Sequence, residues 1–191
     1  MGRKTRALAA RQGLEYKDRI PPASLEKAMN LYLMQHGASL PQEVKASQPL
    51  TPVGHDMMVS AARAMKIMGL WFDALLASPF RPALETAAII AEGLGYAQSS
   101  VTSFEALRGH TNLKVCMDEL AQCQRHQSVL LVGEMPLLTV LASQLLTSGP
   151  RVSLALEGGA LLALGVPSLN ARNATLRWML QPGQLQMIAA A

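Results

Sequence analysis

Leu31-Tyr32-Leu33-Met34-Gln35-His36-Gly37-Ala38 is an apolar run that halts on a single histidine followed by a glycine. The run fits a strand buried on both faces, and the glycine marks its end. A side chain at that point projects from the carboxyl end of the strand, where open α/β sheets place their ligands. His36 is therefore the first candidate for chemistry, and the surrounding chain decides what it can do.

Outward from this segment, short apolar runs alternate with longer amphipathic stretches. Strands are predicted at Met29 to Met34, Ala74 to Ala77, around Ser99 to Ser103, at Ser128 to Val132, at Gly159 to Val166 and at Thr175 to Leu180. Helices are predicted at Val53 to Met68, Pro82 to Leu94, Asn112 to Arg125 and Pro136 to Leu146. Thr51-Pro52 and Ser78-Pro79 supply a hydroxyl followed by proline as start signals, and Gly69 and Gly95 are natural stops. The alternation predicts an α/β fold of three layers, a mostly parallel sheet with helices on both faces. The last two strands have no helix between them and are expected to pair directly.

With 191 residues, 50% of them hydrophobic, the chain can bury one sizeable core. The formal charge of +4 is concentrated near the start, where Arg3, Lys4, Arg6, Arg11, Lys17 and Arg19 face only Glu15 and Asp18. Residues 1–28 are accordingly expected to form a basic, loosely ordered extension, and residues 29–188 the domain. The domain itself is close to neutral, which argues against nucleic acid as a partner. No run approaches the ~18 apolar residues of a membrane span, and a cytoplasmic location is the expectation. Cys116 and Cys123 lie about 10 Å apart along a predicted helix, beyond disulfide reach, and are read as buried thiols.

Ordered motifs then give the segment around His36 a context. Leu50-Thr51-Pro52-Val53-Gly54, Asp73-Ala74-Leu75-Leu76-Ala77-Ser78-Pro79-Phe80, Glu85-Thr86-Ala87, Leu131-Val132-Gly133-Glu134-Met135-Pro136 and Arg177-Trp178-Met179 with Pro182 and Leu185 follow it at regular intervals. Together they resemble the histidine phosphatase superfamily, in its compact SixA-type phosphohistidine phosphatase branch. The resemblance implies a phosphoglycerate mutase-like fold with a histidine as phosphoryl acceptor, and it implies no cofactor and no metal.

In that family two arginines and a second histidine hold the phosphate around the nucleophile. Carried over residue by residue, the nucleophile is His36, the first arginine is replaced by Gln35, the second by Pro82, and the second histidine by Glu134. Gln35 offers a neutral amide where a guanidinium offers a charged bidentate fork. Pro82 offers no donor. Glu134 sets a carboxylate against a dianion, and as a partner for His36 it would favour the protonated ring, whereas attack on phosphorus requires the neutral one.

Losing one such donor costs roughly 10²–10³ in rate, and three are altered here. The resemblance with these replacements implies a catalytically impaired protein that acts by binding or regulation, its partner a phosphorelay protein or a small anion. The alternative is an active phosphohistidine or phosphomonoester phosphatase with a rebuilt anion pocket. Arg81, Arg108 and His110 are the side chains that could restore positive charge in it. His36 and Glu134 alone are too few ligands for a metal.

Overall fold

The computed structural model describes residues 28–109, 111–149 and 151–191. The basic extension expected over 1–28 thus lies, but for Ala28, outside the described residues, as does His110.

The strands are β1 (Met29–Gln35), β2 (Ala74–Ala77), β3 (Val101–Ser103), β4 (Ser128–Gly133), β5 (Leu161–Val166) and β6 (Thr175–Leu180). They form one six-stranded sheet in the order β3-β2-β4-β1-β5-β6. β3, β2, β4 and β1 run parallel, β5 is antiparallel to β1, and β6 pairs antiparallel with β5 without an intervening helix. The mostly parallel sheet and its closing pair are as the sequence predicts.

The helices are α1 (Pro52–Ile67), α2 (Arg81–Leu94), α3 (Leu113–Leu120), α4 (Leu137–Leu146) and α5 (Pro182–Ala190). Alternation along the strands divides the core between the two sheet faces. Met29, Leu31 and Leu33 of β1 and Val129 and Leu131 of β4 join Cys116, Leu120, Leu138 and Leu141 on one side. Met34, Leu130 and Val132 join Met58, Met65, Ile90 and Leu185 on the other. Both faces of the central strands are therefore covered, which is why they read as continuous apolar runs.

Local chemistry explains most element boundaries. Thr51 caps α1, its Oγ1 accepting from the Gly54 N–H at 2.9 Å, with Pro52 in the first turn. Gly95 closes α2 at φ 86°, a conformation that costs glycine nothing. Three expectations are corrected. Ser78-Pro79 does not cap α2: Phe80 occupies that position and the Ser78 hydroxyl is turned elsewhere, with Pro82 as the early proline. The helix predicted over Asn112 to Arg125 is α only to Leu120 and continues as a 3₁₀ turn over Ala121–Arg125. The sequence reading has no helix at α5, where Gln181 and Gln184 form a capping box with amides in place of the usual hydroxyl and carboxylate. Cys116 and Cys123 are free and buried, as expected.

Candidate functional site

The carboxyl ends of β1, β2 and β4 meet at one edge of the sheet. Gln35 is in register with Gly133, and the His36 N–H donates to the Gly133 carbonyl at 3.1 Å, so Glu134 begins beside the end of β1. The Ser78 N–H donates to the Val132 carbonyl at 2.8 Å, which brings the turn after β2 to the same place. His36, Glu134 and the Ser78-Pro79-Phe80 turn are thus gathered by backbone pairing, as an open α/β sheet gathers its ligand site.

The half-buried His36 ring has a defined orientation. Its Nδ1 lies 2.7 Å from the Gly37 carbonyl, which can only accept, so Nδ1 carries a proton. In the neutral ring the lone pair is then on Nε2, the form a nucleophile needs. Phe80 sets its ring edge-on at a centroid distance of 5.9 Å. Below, the Gly37 N–H donates to the Thr86 hydroxyl at 3.0 Å, with both residues buried. Gly37 also has no room for a side chain, since a Cβ there would stand 2.9 Å from Met58 Cγ and 3.1 Å from the Gly54 carbonyl oxygen.

Of the three positions that the sequence reading takes as replaced, Gln35 and Glu134 have a partner that the reading did not assign. Gln35 turns its amide NH₂ toward the carbonyls of Leu156 (2.8 Å) and Glu157 (3.2 Å), so its donors serve the loop before β5. Pro82 is buried in the first turn of α2. Glu134 is half-buried, and its Oε1 accepts from the buried Ser78 hydroxyl at 2.8 Å. Its Oε2 lies so near Gly109 that a Cβ there would be 2.8 Å away. The ion pairs among the described residues join His55 to Asp56, Arg81 to Glu85 and Arg108 to Glu105. The expected His36–Glu134 ion pair is therefore not formed, because Ser78 draws the carboxylate aside.

Two of the three side chains considered as sources of positive charge, Arg81 and Arg108, are also engaged. Arg81 donates through Nε to Glu85 at 2.7 Å and through Nη1 to the Ser47 hydroxyl at 3.1 Å. It lines a groove of about 590 Å³ with Leu50, His55, Glu85 and Ile89, and His36 is not part of that groove. Arg108 donates to both carboxylate oxygens of Glu105, at 3.1 and 3.3 Å. These partners stand at i+4 and i−3, spacings that could have identified both pairs from the sequence. Phe80 and Thr86 are site residues that sequence reasoning quoted without a role, and Ser78 is one that it read as a helix cap. The hydroxyl of Ser78, once freed from capping, was the available signal. Among the described residues no group of three His, Cys, Asp or Glu gathers to hold a metal ion, and no helix is long and apolar enough to cross a membrane.

No family model and no curated protein matches this sequence. Solved structures do match. The protein histidine phosphatase SixA complexed with tungstate superposes with a TM-score of 0.71 at 22% identity, over 82% of this chain and 99% of that one. An α-ribazole phosphatase from Shigella flexneri gives 0.63 at 18% identity, over 81% and 97%. A phosphoserine phosphatase variant from Entamoeba histolytica, in complex with phosphoserine, gives 0.61 at 16% identity, over 82% and 99%. The chain has the fold of the SixA phosphohistidine phosphatases and of the wider histidine phosphatase superfamily.

Proposed function

We propose that this protein is a catalytically impaired, SixA-like member of the histidine phosphatase superfamily that works by binding. The observation carrying this reading is the fate of the charges. Glu134 is fixed beside the nucleophile position by Ser78, while Arg81 and Arg108 are bound to Glu85 and Glu105. A phosphate oxygen about 4 Å from a carboxylate in such a half-screened site meets a repulsion of roughly 4 kcal/mol per unit charge. Neither arginine offsets it. The Nδ1 contact to Gly37 keeps Nε2 of the neutral ring unprotonated, so the impairment lies in holding the phosphate rather than in orienting the nucleophile.

Two measurements test this. Phosphate, vanadate and tungstate should leave the melting temperature unchanged, since a ligand that does not bind the native state cannot stabilise it. Hydrolysis of a phosphohistidine peptide or of p-nitrophenyl phosphate should be at background for the natural chain and appear when Gln35→Arg, Pro82→Arg and Glu134→His are combined. Turnover by the natural chain that is lost in His36→Ala overturns the proposal in favour of a rebuilt phosphatase pocket.

A further inference from the structure

We infer that the cavity between α3, α4 and the loop joining β5 to β6 is a binding site for a small amphipathic organic anion, a carboxylate carried on an apolar body. The inference stands apart from the reading above, because none of the residues gathered around His36 lines this cavity.

The cavity has a volume of about 490 Å³, within the size range of small-molecule sites. One side of it is apolar and belongs to the core on that face of the sheet: Leu169 is buried in the core, and half-buried Leu113 and Met117 pack against it. The other side is cationic. Lys114 and Arg172, both exposed, line it, and among the described residues no aspartate or glutamate does. The groove beside α2 differs on this point, because Arg81 shares it with Glu85 and Glu92.

Arg172 is presented in a defined way. Its Nε and Nη2 donate to the Gln144 amide oxygen at 2.9 and 2.7 Å. Arg81 and Arg108 are held by carboxylates, whereas this acceptor is neutral, so it fixes the guanidinium and leaves its charge in place. The planar group keeps a second pair of parallel N–H bonds, on Nη1 and Nη2, the fork that a carboxylate accepts bidentately. The Arg172 backbone stands at φ 45°, a left-handed conformation that long side chains rarely adopt and that recurs at ligand clamps. A carboxylate on Arg172 and Lys114, with its hydrocarbon part on Leu113, Met117 and Leu169, uses both sides of the cavity. An inorganic oxyanion uses only the charged side, and two exposed cations in water hold it weakly.

Titration calorimetry of the full chain at pH 7 and low salt tests this with octanoate. Saturable one-to-one binding is expected. Octanamide has the same body without the charge, and butyrate has the same head on a shorter body; each should bind about tenfold more weakly or worse. Arg172→Gln should weaken octanoate about tenfold and Lys114→Gln by less, since lysine supplies a point charge and no fork. Arg63→Gln removes an exposed cation from α1, the helix on the opposite face of the sheet, and should change nothing. In methionine-methyl-labelled protein the Met117 resonance, identified by its absence from Met117→Leu, should shift as octanoate saturates. That readout and the two comparison ligands stand even if Arg172→Gln unfolds. The inference is overturned if octanoate does not bind, if octanamide or butyrate binds equally well, if Arg172→Gln and Lys114→Gln leave binding intact, or if Met117 is unmoved at saturation.

Discussion

Gly54→Ala is expected to destabilise the protein, although it replaces glycine by the best helix former. Gly54 sits in the first turn of α1 where the helix crosses the loop leaving His36. A Cβ on it would stand 2.0 Å from the Ala38 carbonyl oxygen, 2.9 Å from the Ala38 carbonyl carbon and 3.0 Å from its nitrogen. That carbonyl cannot easily retreat, because it also accepts from the Thr51 N–H at 2.9 Å and from the Thr51 hydroxyl at 3.3 Å. Relief needs a shift of more than ~1 Å in backbone, and overpacking of this kind costs roughly 1–3 kcal/mol, occasionally more. The gain in helix propensity is at most about 1 kcal/mol and smaller in a first turn. A net loss of about 2 kcal/mol corresponds to a fall of roughly 4–8 °C in melting temperature for a domain of this size. The control is Gly183→Ala in α5, where an added Cβ meets nothing within 4 Å and the melting temperature should hold or rise. Thermal unfolding followed by circular dichroism reads both. An unchanged or raised melting temperature for Gly54→Ala would refute the claim that packing, not ligand binding, demands this glycine.

Two further substitutions probe the support of the site and the core. Thr86→Val removes the hydroxyl to which the buried Gly37 N–H donates, and an unmet buried donor costs about 1–3 kcal/mol. Urea unfolding should register that loss, His36 imidazole resonances should move, and Thr86→Ser should restore both; a loss below about 0.5 kcal/mol would contradict it. For Cys116, burial first and the Glu119 charge second push the thiol up from 9.0 to about 11. The fold prefers the protonated thiol, so its contribution is complete below about pH 9 and is lost as the pH rises toward 11, by at most roughly 2.7 kcal/mol. Urea midpoints measured across that range should fall in the natural chain and fall less steeply in Cys116→Ala, where burial of Cys123 and Tyr32 still favours their protonated forms; an equal slope in both would show that Cys116 contributes nothing.

What was legible in the sequence is what local patterning encodes. The apolar run into His36 fixed β1 and the place of the site, because a strand buried on both faces needs continuous hydrophobicity. Thr51-Pro52 predicted the start of α1 because capping is a contact across three residues. Ser78-Pro79 misled for the same reason: an identical local signal was overridden by a partner, Glu134, lying 56 residues away. The two Gln residues of the α5 capping box lack the hydroxyl and carboxylate that usually announce one, so that helix had no clear start signal. At the site, motif order singles out Gln35, Pro82 and Glu134, but the partners of Gln35 and Glu134 depend on which turns the sheet brings together.

If the protein is impaired as proposed, the separation between packing demands and ligand demands explains how a recognisable motif outlasts its chemistry. Gly37 is held by Met58, the Gly54 carbonyl and Thr86, and Gly54 by Ala38; these contacts exist whether or not anything is bound. Losing any of them strains the crossing of β1, α1 and α2. Charged positions around His36 have no such duty. An arginine or histidine facing an empty half-buried pocket is a desolvated cation without a partner, and the fold is relieved when it is replaced. Gln35 and Glu134 each have a hydrogen-bond partner of their own, in the loop before β5 and in Ser78. Reinstating the family residues must therefore break those bonds as well as restore charge. The triple variant should consequently be less stable than the natural chain, and recover stability when tungstate is added; a triple variant that is stable without an anion would mean that the new partners contribute nothing and that the pocket drifted without consequence for the fold.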